Sequence, residues 1–380
     1  MKTSRLIGLI IIVILGIHVV AIGLFYFRNS KSGGETTASP VSGELPAAEE
    51  TAAAPPPLQE TVKKHANPLF GTHFIYRYAV QGNLPAVPET AEVRAGFLVN
   101  LNTRQVLWTK NPREGYPIAS MTKMMTLLLA AEAMAKNPAL NHDTPVKVTL
   151  ASSKVGGSQV WLDPRETFPF GELLKAVAIK SANDAAYLVA EYVNEGDVAG
   201  FVGRMNQRAR ELRMPSTAFV NPYGLKADDG KNSVSSAEGM AILAEYLLEY
   251  PDIMELCSTR LATFRPDGAR GQLQLTNTNR LLGQCPGVDG LKTGYIKESG
   301  YCITVTCLRG DKRMVAVIIG APSISKRNTA VRKLLDWGYR RDVELNDPLN
   351  HLSGEAKDFG KQVSSGTLPP PPPVLSGTSR

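Results

Sequence analysis

The chain has 380 residues, 43% of them hydrophobic and 20% charged, with 33 glycines and 26 prolines. That is globular composition, which excludes wholesale disorder, collagen-like repeats and coiled-coil arrays. The formal charge of +7 falls within residues 67–343 but is scattered along them rather than gathered into a stripe, which argues against nucleic acid as a partner.

Leu6 to Phe27 is a 22-residue apolar run broken only by His18, with Lys2 and Arg5 ahead of it and Arg28 and Lys31 behind. As a helix rising 1.5 Å per residue it would span roughly 30 Å of hydrocarbon. Residues 1–27 are therefore expected to be an N-terminal membrane anchor making a single pass. A cleaved secretory signal is the competing reading, with Val19-Val20-Ala21 as its cleavage site. Continuation of the run through Ile22, Leu24, Phe25, Tyr26 and Phe27 favours retention. Residues 28–66, rich in Ser, Gly, Ala, Thr, Glu and Pro, read as a disordered linker that cannot bury enough apolar surface to offset its ordering entropy. Residues 344–380, with Pro369 to Pro373, read as a Pro-rich tail, which leaves 67–343 as the folded unit.

Within that unit the patterns predict an α+β protein. Ala95–Val99 and Gln105–Thr109 form a hairpin turning at Asn102-Thr103. A helix starts after Pro117 and carries Ser120 and Lys123 one turn apart on one face. Leu173–Lys180 is helix-like and runs into Ser181-Ala182-Asn183-Asp184. The chain is mainly helical to about residue 230, and further helices are predicted over Ala237–Tyr250 and Lys326–Tyr339, with strands flanking Lys292. Residues 67–90 fit no element. The four cysteines, Cys257, Cys285, Cys302 and Cys307, lack C-x-x-C spacing, so no metal knuckle is indicated. Cys302 and Cys307 share one strand-like run and lie roughly 17 Å apart in it, too far to bridge each other. Disulfides through Cys257 or Cys285 and free buried thiols both remain open.

Three short motifs could carry chemistry. Ser120-Met-Thr-Lys123 could set a nucleophile beside a proton acceptor, or be a capping serine and a solvated lysine. The spacing is cheap: Ser323-Ile-Ser-Lys326 repeats it. Ser181-Ala-Asn183 alone reads as a turn with local side-chain bonds. Lys292-Thr293-Gly294 could present a cation, a hydroxyl and a close-approaching backbone, or be an edge strand with a bulge glycine; Lys31-Ser32-Gly33 shows how easily such a triplet arises. What raises them above chance is their order, S-x-x-K, S-x-N, K-T-G, at separations of 61 and 111 residues. Counting histidines points the same way. His18, His65 and His351 lie outside the folded unit, and His73 and His142 fall in no motif, so a lysine must do the proton work. Neutralising Lys123 near pH 7 needs a shift of roughly 3 units, about 4 kcal/mol. Burial, the positive end of its helix and Lys292 as a like charge could supply it.

With these motifs in order, the sequence resembles the low-molecular-mass penicillin-binding proteins, the serine-type D-alanyl-D-alanine carboxypeptidases. Matching text runs from about Gly96 to Trp337. It includes Ile118-Ala-Ser-Met-Thr-Lys-Met-Met-Thr, Gly156-Gly-Ser-Gln-Val-Trp-Leu, Phe219-Val-Asn-Pro-Tyr-Gly-Leu225 and Asp289-Gly-Leu-Lys-Thr-Gly-Tyr295. The resemblance implies a penicillin-binding/β-lactamase-like transpeptidase fold, an antiparallel sheet covered by helices plus a helical subdomain. It implies that Ser120, Lys123 and Ser181 are catalytic and that Asn183, Lys292, Thr293, Gly294 and Tyr295 bind substrate. The implied substrates are peptidoglycan stem peptides and the implied covalent inhibitors are β-lactams, with no metal or cofactor and a catalytic domain outside the cytoplasm; many relatives carry a C-terminal amphipathic anchor, whereas here the N-terminal apolar run is the expected membrane tether. Two departures stand out. Ala182 replaces a common glycine, and Pro322 stands where some relatives have a carboxylate-gathering arginine, leaving that task to Lys292 and Thr293 alone or with Arg327. A D,D-endopeptidase and a silent wall-binding relative are the alternative functions. A class A β-lactamase is disfavoured because residues 184–291 contain no E-x-x-L-N.

Overall fold

The computed structural model describes residues 77–78, 87–265 and 271–346. In chain order these residues form β1 (Arg77–Tyr78), β2 (Ala95–Asn100), β3 (Gln105–Lys110), β4 (Tyr116–Pro117), α1 (Lys123–Lys136), β5 (Pro145–Lys147), α2 (Leu150–Ser153) and β6 (Thr167–Pro169). Next come α3 (Phe170–Lys175), α4 (Asn183–Val193), α5 (Val198–Glu211), β7 (Val234–Ser235), α6 (Ala237–Leu247), α7 (Pro251–Ser258), β8 (Leu261–Phe264) and β9 (Leu273–Thr276). The chain closes with β10 (Lys292–Ile296), β11 (Gly300–Arg309), β12 (Lys312–Ala321) and α8 (Ile324–Asn346). Proposals about residues 1–66 and 347–380 lie outside the described residues. Among the described residues no helix is long and apolar enough to cross a membrane.

The main sheet has six strands in the order β1-β3-β2-β12-β11-β10, antiparallel except for the short parallel pairing of β1 with β3. Its central strands are nearly unbroken apolar text, such as Val315-Ala-Val-Ile-Ile319, because both faces are covered. The two-residue period sorts these side chains. Phe97, Val99, Val315, Val317 and Ile319 enter one core with α1 and α6. Leu98, Met314, Ala316 and Ile318 enter a second core against Val331, Leu334 and Leu335 of α8. Asp342 near the end of α8 pins that helix to the sheet, accepting from Asn100 Nδ2 at 2.5 Å and from Lys312 Nζ at 2.6 Å.

The helical body on the other face has side-chain caps at its helix starts. Asp197 accepts from Gly200 N–H at the start of α5 and Ser236 from Gly239 N–H at the start of α6, at 2.8 and 3.0 Å. The predicted hairpin, the helix from residue 237 and the strands around Lys292 are present, and the α+β expectation is met. The structure corrects several details. Ser120 lies in a 3-10 turn, Ala119–Thr122, and α1 begins only at Lys123. Leu173–Lys180 is not one helix: α3 gives way to a π-turn over Ala176–Lys180. The insert before residue 230 also contains the β5–β6 hairpin, and the last helix starts at Ile324 and runs to Asn346. All four cysteines are buried free thiols, which closes the disulfide alternative. Burial pushes Cys257 up to about 12 and Cys302 and Cys307 up to about 11, as expected of inert thiols packed among apolar side chains.

Candidate active site

The predicted site residues converge where the 3-10 turn ahead of α1, the π-turn ahead of α4 and strand β10 meet. Lys123 is fully buried, and its Nζ donates to Ser120 Oγ at 3.0 Å, Asn183 Oδ1 at 2.7 Å and the Tyr223 carbonyl at 2.6 Å. Three acceptors use all three donors of an ammonium, whereas a neutral amine has two N–H groups and a lone pair directed at the third partner. Burial, and then the positive charge of Lys292, hold the Lys123 amine well below the usual lysine range, with only Asp184 opposing. Ser120 is half-buried, so its hydroxyl remains reachable.

Each neighbour is placed by the conformation of its own stretch of backbone. Ser181 closes the π-turn in a left-handed conformation, φ 64°, which costs a non-glycine residue of order 1–2 kcal/mol. That reversal starts α4 at Asn183, two residues on. Asn183 then spans the site: Oδ1 accepts from Lys123 while Nδ2 donates to Gly156 O, and its N–H donates to Ser158 O, both at 2.7 Å. An amide has two donors and two lone pairs, so one of each remains for a ligand. Gly157, at φ 84°, must stay bare because a Cβ there would come within 2.5 Å of Asn183 Nδ2.

Strand β10 is the edge of the sheet and carries Lys292, Thr293, Gly294 and Tyr295. Lys292 is 1% exposed, and its Nζ donates to Thr293 O at 3.2 Å. Burial lowers it to about 7, against an opposing effect from Cys257 and with help from Arg327. Thr293 Oγ1 donates to Thr278 Oγ1 at 2.8 Å, and Thr278 N–H reaches Ile179 O at 3.2 Å, which ties the third motif to the second. Gly294 lets the strand press against the nucleophile turn: a Cβ there would lie 2.5 Å from Ile118 O and 3.1 Å from Ser120 N. Gly294→Ala is therefore expected to slow acylation by a labelled penicillin at least tenfold, and an unchanged rate would show that the strand does not need this approach. Tyr295 is exposed and stacks on Tyr301 with ring centroids 4.3 Å apart. Arg327 is buried, with Nη1 donating to Cys302 O at 3.3 Å, and Cys302 is the register partner of Gly294. A second fixed cation thus stands behind the strand.

Sequence reasoning missed the third contact of Lys123, the Tyr223 carbonyl. Asn221 shapes that loop: Oδ1 accepts from Tyr223 N–H at 3.2 Å and Gly224 N–H at 2.6 Å, and Nδ2 donates to Leu225 O at 2.7 Å. Thr126 Oγ1 clamps the same loop through Pro222 O at 2.6 Å. The Asn221-Pro222 dipeptide is a turn signal, but nothing in it says that a carbonyl will face a lysine. Asp184 was also missed. It is fully buried and accepts from Val160 and Leu162 N–H, both at 3.1 Å, and burial raises its carboxyl. Among the described residues there is no cluster of His, Cys, Asp or Glu able to hold a metal.

This geometry can be set beside known proteins. The sequence model of the D-alanyl-D-alanine carboxypeptidase family, Peptidase_S11, matches residues 83–323. The chain belongs to this family. It is 40% identical over 248 residues to D-alanyl-D-alanine carboxypeptidase DacF of Bacillus subtilis, covering 65% of this chain and 62% of that protein. To DacA of Haemophilus influenzae it is 30% identical over 285 residues, 73% of this chain and 67% of that one. The chain thus spans a little under two thirds of the Bacillus relative. Among solved structures it is similar to penicillin-binding protein D2 of Listeria monocytogenes in its ampicillin-bound form, with TM-score 0.59 and 30% identity over 67% of this chain and 100% of that one. It is likewise similar to penicillin-binding protein 6B of Escherichia coli, with TM-score 0.62 and 27% identity over 70% and 82%. The α+β fold is the penicillin-binding, transpeptidase-like one, a sheet flanked by helices.

Proposed function

We propose that the protein is a serine D-alanyl-D-alanine carboxypeptidase that removes the terminal D-alanine from peptidoglycan stem peptides. The observation that carries this reading is the buried Lys123 amine, held well below its ordinary range and 3.0 Å from the Ser120 hydroxyl. Ser120 Oγ attacks the carbonyl between the last two D-alanines while its proton passes to Lys123. The C–N bond then breaks, Ser181 relays a proton to the leaving amine, and water later hydrolyses the Ser120 ester. Backbone N–H groups of Ser120 and Tyr295 stabilise the oxyanion, a role supported by the close approach of Gly294 to Ser120 N. Asn183 positions Lys123 and offers its remaining donor and acceptor to the substrate backbone. Lys292 and Thr293 bind the terminal carboxylate, with Arg327 reinforcing the local positive potential where Pro322 supplies no cation.

Within the same reading the catalytic domain is residues 67–343 extended by the end of α8 to Asn346, residues 28–66 are a linker, and the tail begins after that helix. Residues 1–27 tether the enzyme to the membrane with the domain outside the cytoplasm, where peptidoglycan lies; the 22-residue apolar run supports this. β-Lactams, as mimics of the scissile amide, acylate Ser120. Incubation with a stem pentapeptide tests the activity: free D-alanine is expected. Cleavage of cross-linked dimers with no D-alanine released from the pentapeptide would replace carboxypeptidase with endopeptidase.

A further inference from the structure

Trp161 is the most exposed large hydrophobic among the described residues, at 62%, and it sits at φ 54°. A bulky residue in the left-handed region is a genuine outlier, and such strain persists only where surrounding structure overrides it. Here two buried charged groups do so. On one side the Asp184 carboxylate takes the N–H groups of both neighbours, Val160 and Leu162. On the other, Arg265 donates to the carbonyls of Val160 and Trp161 at 2.8 and 2.7 Å while its Nε and Nη2 bind Glu166. Val160 and Leu162 are buried, so the clamp turns their apolar side chains inward and the indole outward. Asp184 adjoins Asn183, and Ser158, three residues before Trp161, accepts from Asn183 N–H, which puts the Trp161 backbone within roughly 10 Å of the site.

We propose that Trp161 is a specificity-determining platform for the sugar portion of the substrate, stacking on the face of an N-acetylhexosamine attached to the stem peptide. The inference rests on the carboxypeptidase reading for its substrate. An extended five-residue stem spans about 17 Å, so its sugar end lies at the margin of the site rather than in it. A pyranose face presents a row of C–H bonds to a flat aromatic ring, and its hydroxyl and acetamide groups need polar neighbours. Gly156 leaves open space beside the loop, and Gln159 and the exposed Arg165–Asp163 pair supply the polar rim. A rigid indole gives large contact area at little entropic cost, and pre-set strain fixes its direction before the ligand arrives.

Trp161→Asn tests this, because asparagine tolerates the left-handed conformation and removes only the ring. The variant is expected to keep its thermal midpoint and to hold kcat/KM on a bare pentapeptide within about twofold. On a disaccharide-pentapeptide it is expected to lose at least tenfold, through KM. Equal loss on both substrates, or loss on neither, overturns the proposal. A second measurement does not depend on turnover. The other two tryptophans are half-buried Trp108 and buried Trp337, so an oligosaccharide of N-acetylglucosamine should alter the emission of the wild-type protein and leave Trp161→Asn unchanged. A wild-type protein that fails to release D-alanine yet responds to the oligosaccharide would remove the carboxypeptidase reading and keep the sugar platform. No response at saturating oligosaccharide would remove the platform.

Discussion

Lys123→Arg is expected to abolish most acylation of Ser120 by a labelled penicillin, slowing it by roughly 10²–10⁴-fold, the span over which a positioned base contributes. Arginine keeps the positive charge and several donors for Asn183 Oδ1 and Tyr223 O, so charge and hydrogen-bonding capacity are nominally preserved. What it cannot do is give up its proton, since its guanidinium titrates above about 12. Lys123→Met removes base and donors together and should lose a similar factor, whereas Ser120→Ala should remain unlabelled because no ester can form. The three variants separate distinct claims. If Lys123→Arg acylates at the wild-type rate, the amine is a cation that orients the serine and no proton moves through it. If Ser120→Ala still takes the label, the nucleophile lies elsewhere and the convergence of the three motifs has been misread. Thermal midpoints are read alongside, because arginine is larger than lysine and the site is fully buried.

The features legible in the sequence were those carried by side-chain identity and period. Phe97, Leu98 and Val99 alternate between two cores as a two-residue repeat demands, and Ser120, Ser181 and Lys292 are recognisable by order although they lie on three separate elements. Illegible were contributions made by backbone. The Tyr223 carbonyl is available to any residue at that position, and where it points is set by the Asn221 and Thr126 side chains together with Gly224. The left-handed Ser181 was hidden for a related reason: serine has no special preference for φ > 0, and the π-turn before it is imposed by tertiary contacts of Ala176–Ile179, all fully buried. Cysteine state was undecidable from spacing because oxidation depends on which thiols meet, and here each is enclosed among other side chains. Residues 77–78 escaped assignment because two residues are too few to show any period; they are placed by pairing with Gln105 and Val106.

If the proposed roles of the two lysines hold, the pH profile for the pentapeptide is expected to be bell-shaped, with its two limbs set by their opposite requirements. Lys123 must be neutral to accept the serine proton, so kcat/KM rises as pH climbs through its lowered value. Lys292 must be charged to hold a carboxylate, and in the empty site burial brings it down to about 7, so the descending limb begins near there. Lys292→Met should remove that descending limb and cost about 10- to 100-fold in kcat/KM, the worth of a charge-assisted hydrogen bond of roughly 1.5–3 kcal/mol. It should also move the ascending limb to higher pH, because the like charge that helps depress Lys123 has gone. Stability supplies an independent sign. A lysine whose folded value lies below its unfolded value of about 10.4 binds fewer protons in the folded state across that interval. The penalty of charging Lys292 is thus fully present below about 7 and is relieved as pH rises above it, so the wild-type protein gains stability over a window in which Lys292→Met gains less. A variant that kept the wild-type descending limb would assign that limb to another group, and one whose stability rose with pH as steeply as the wild type would mean that Lys292 does not titrate in the folded state over this range.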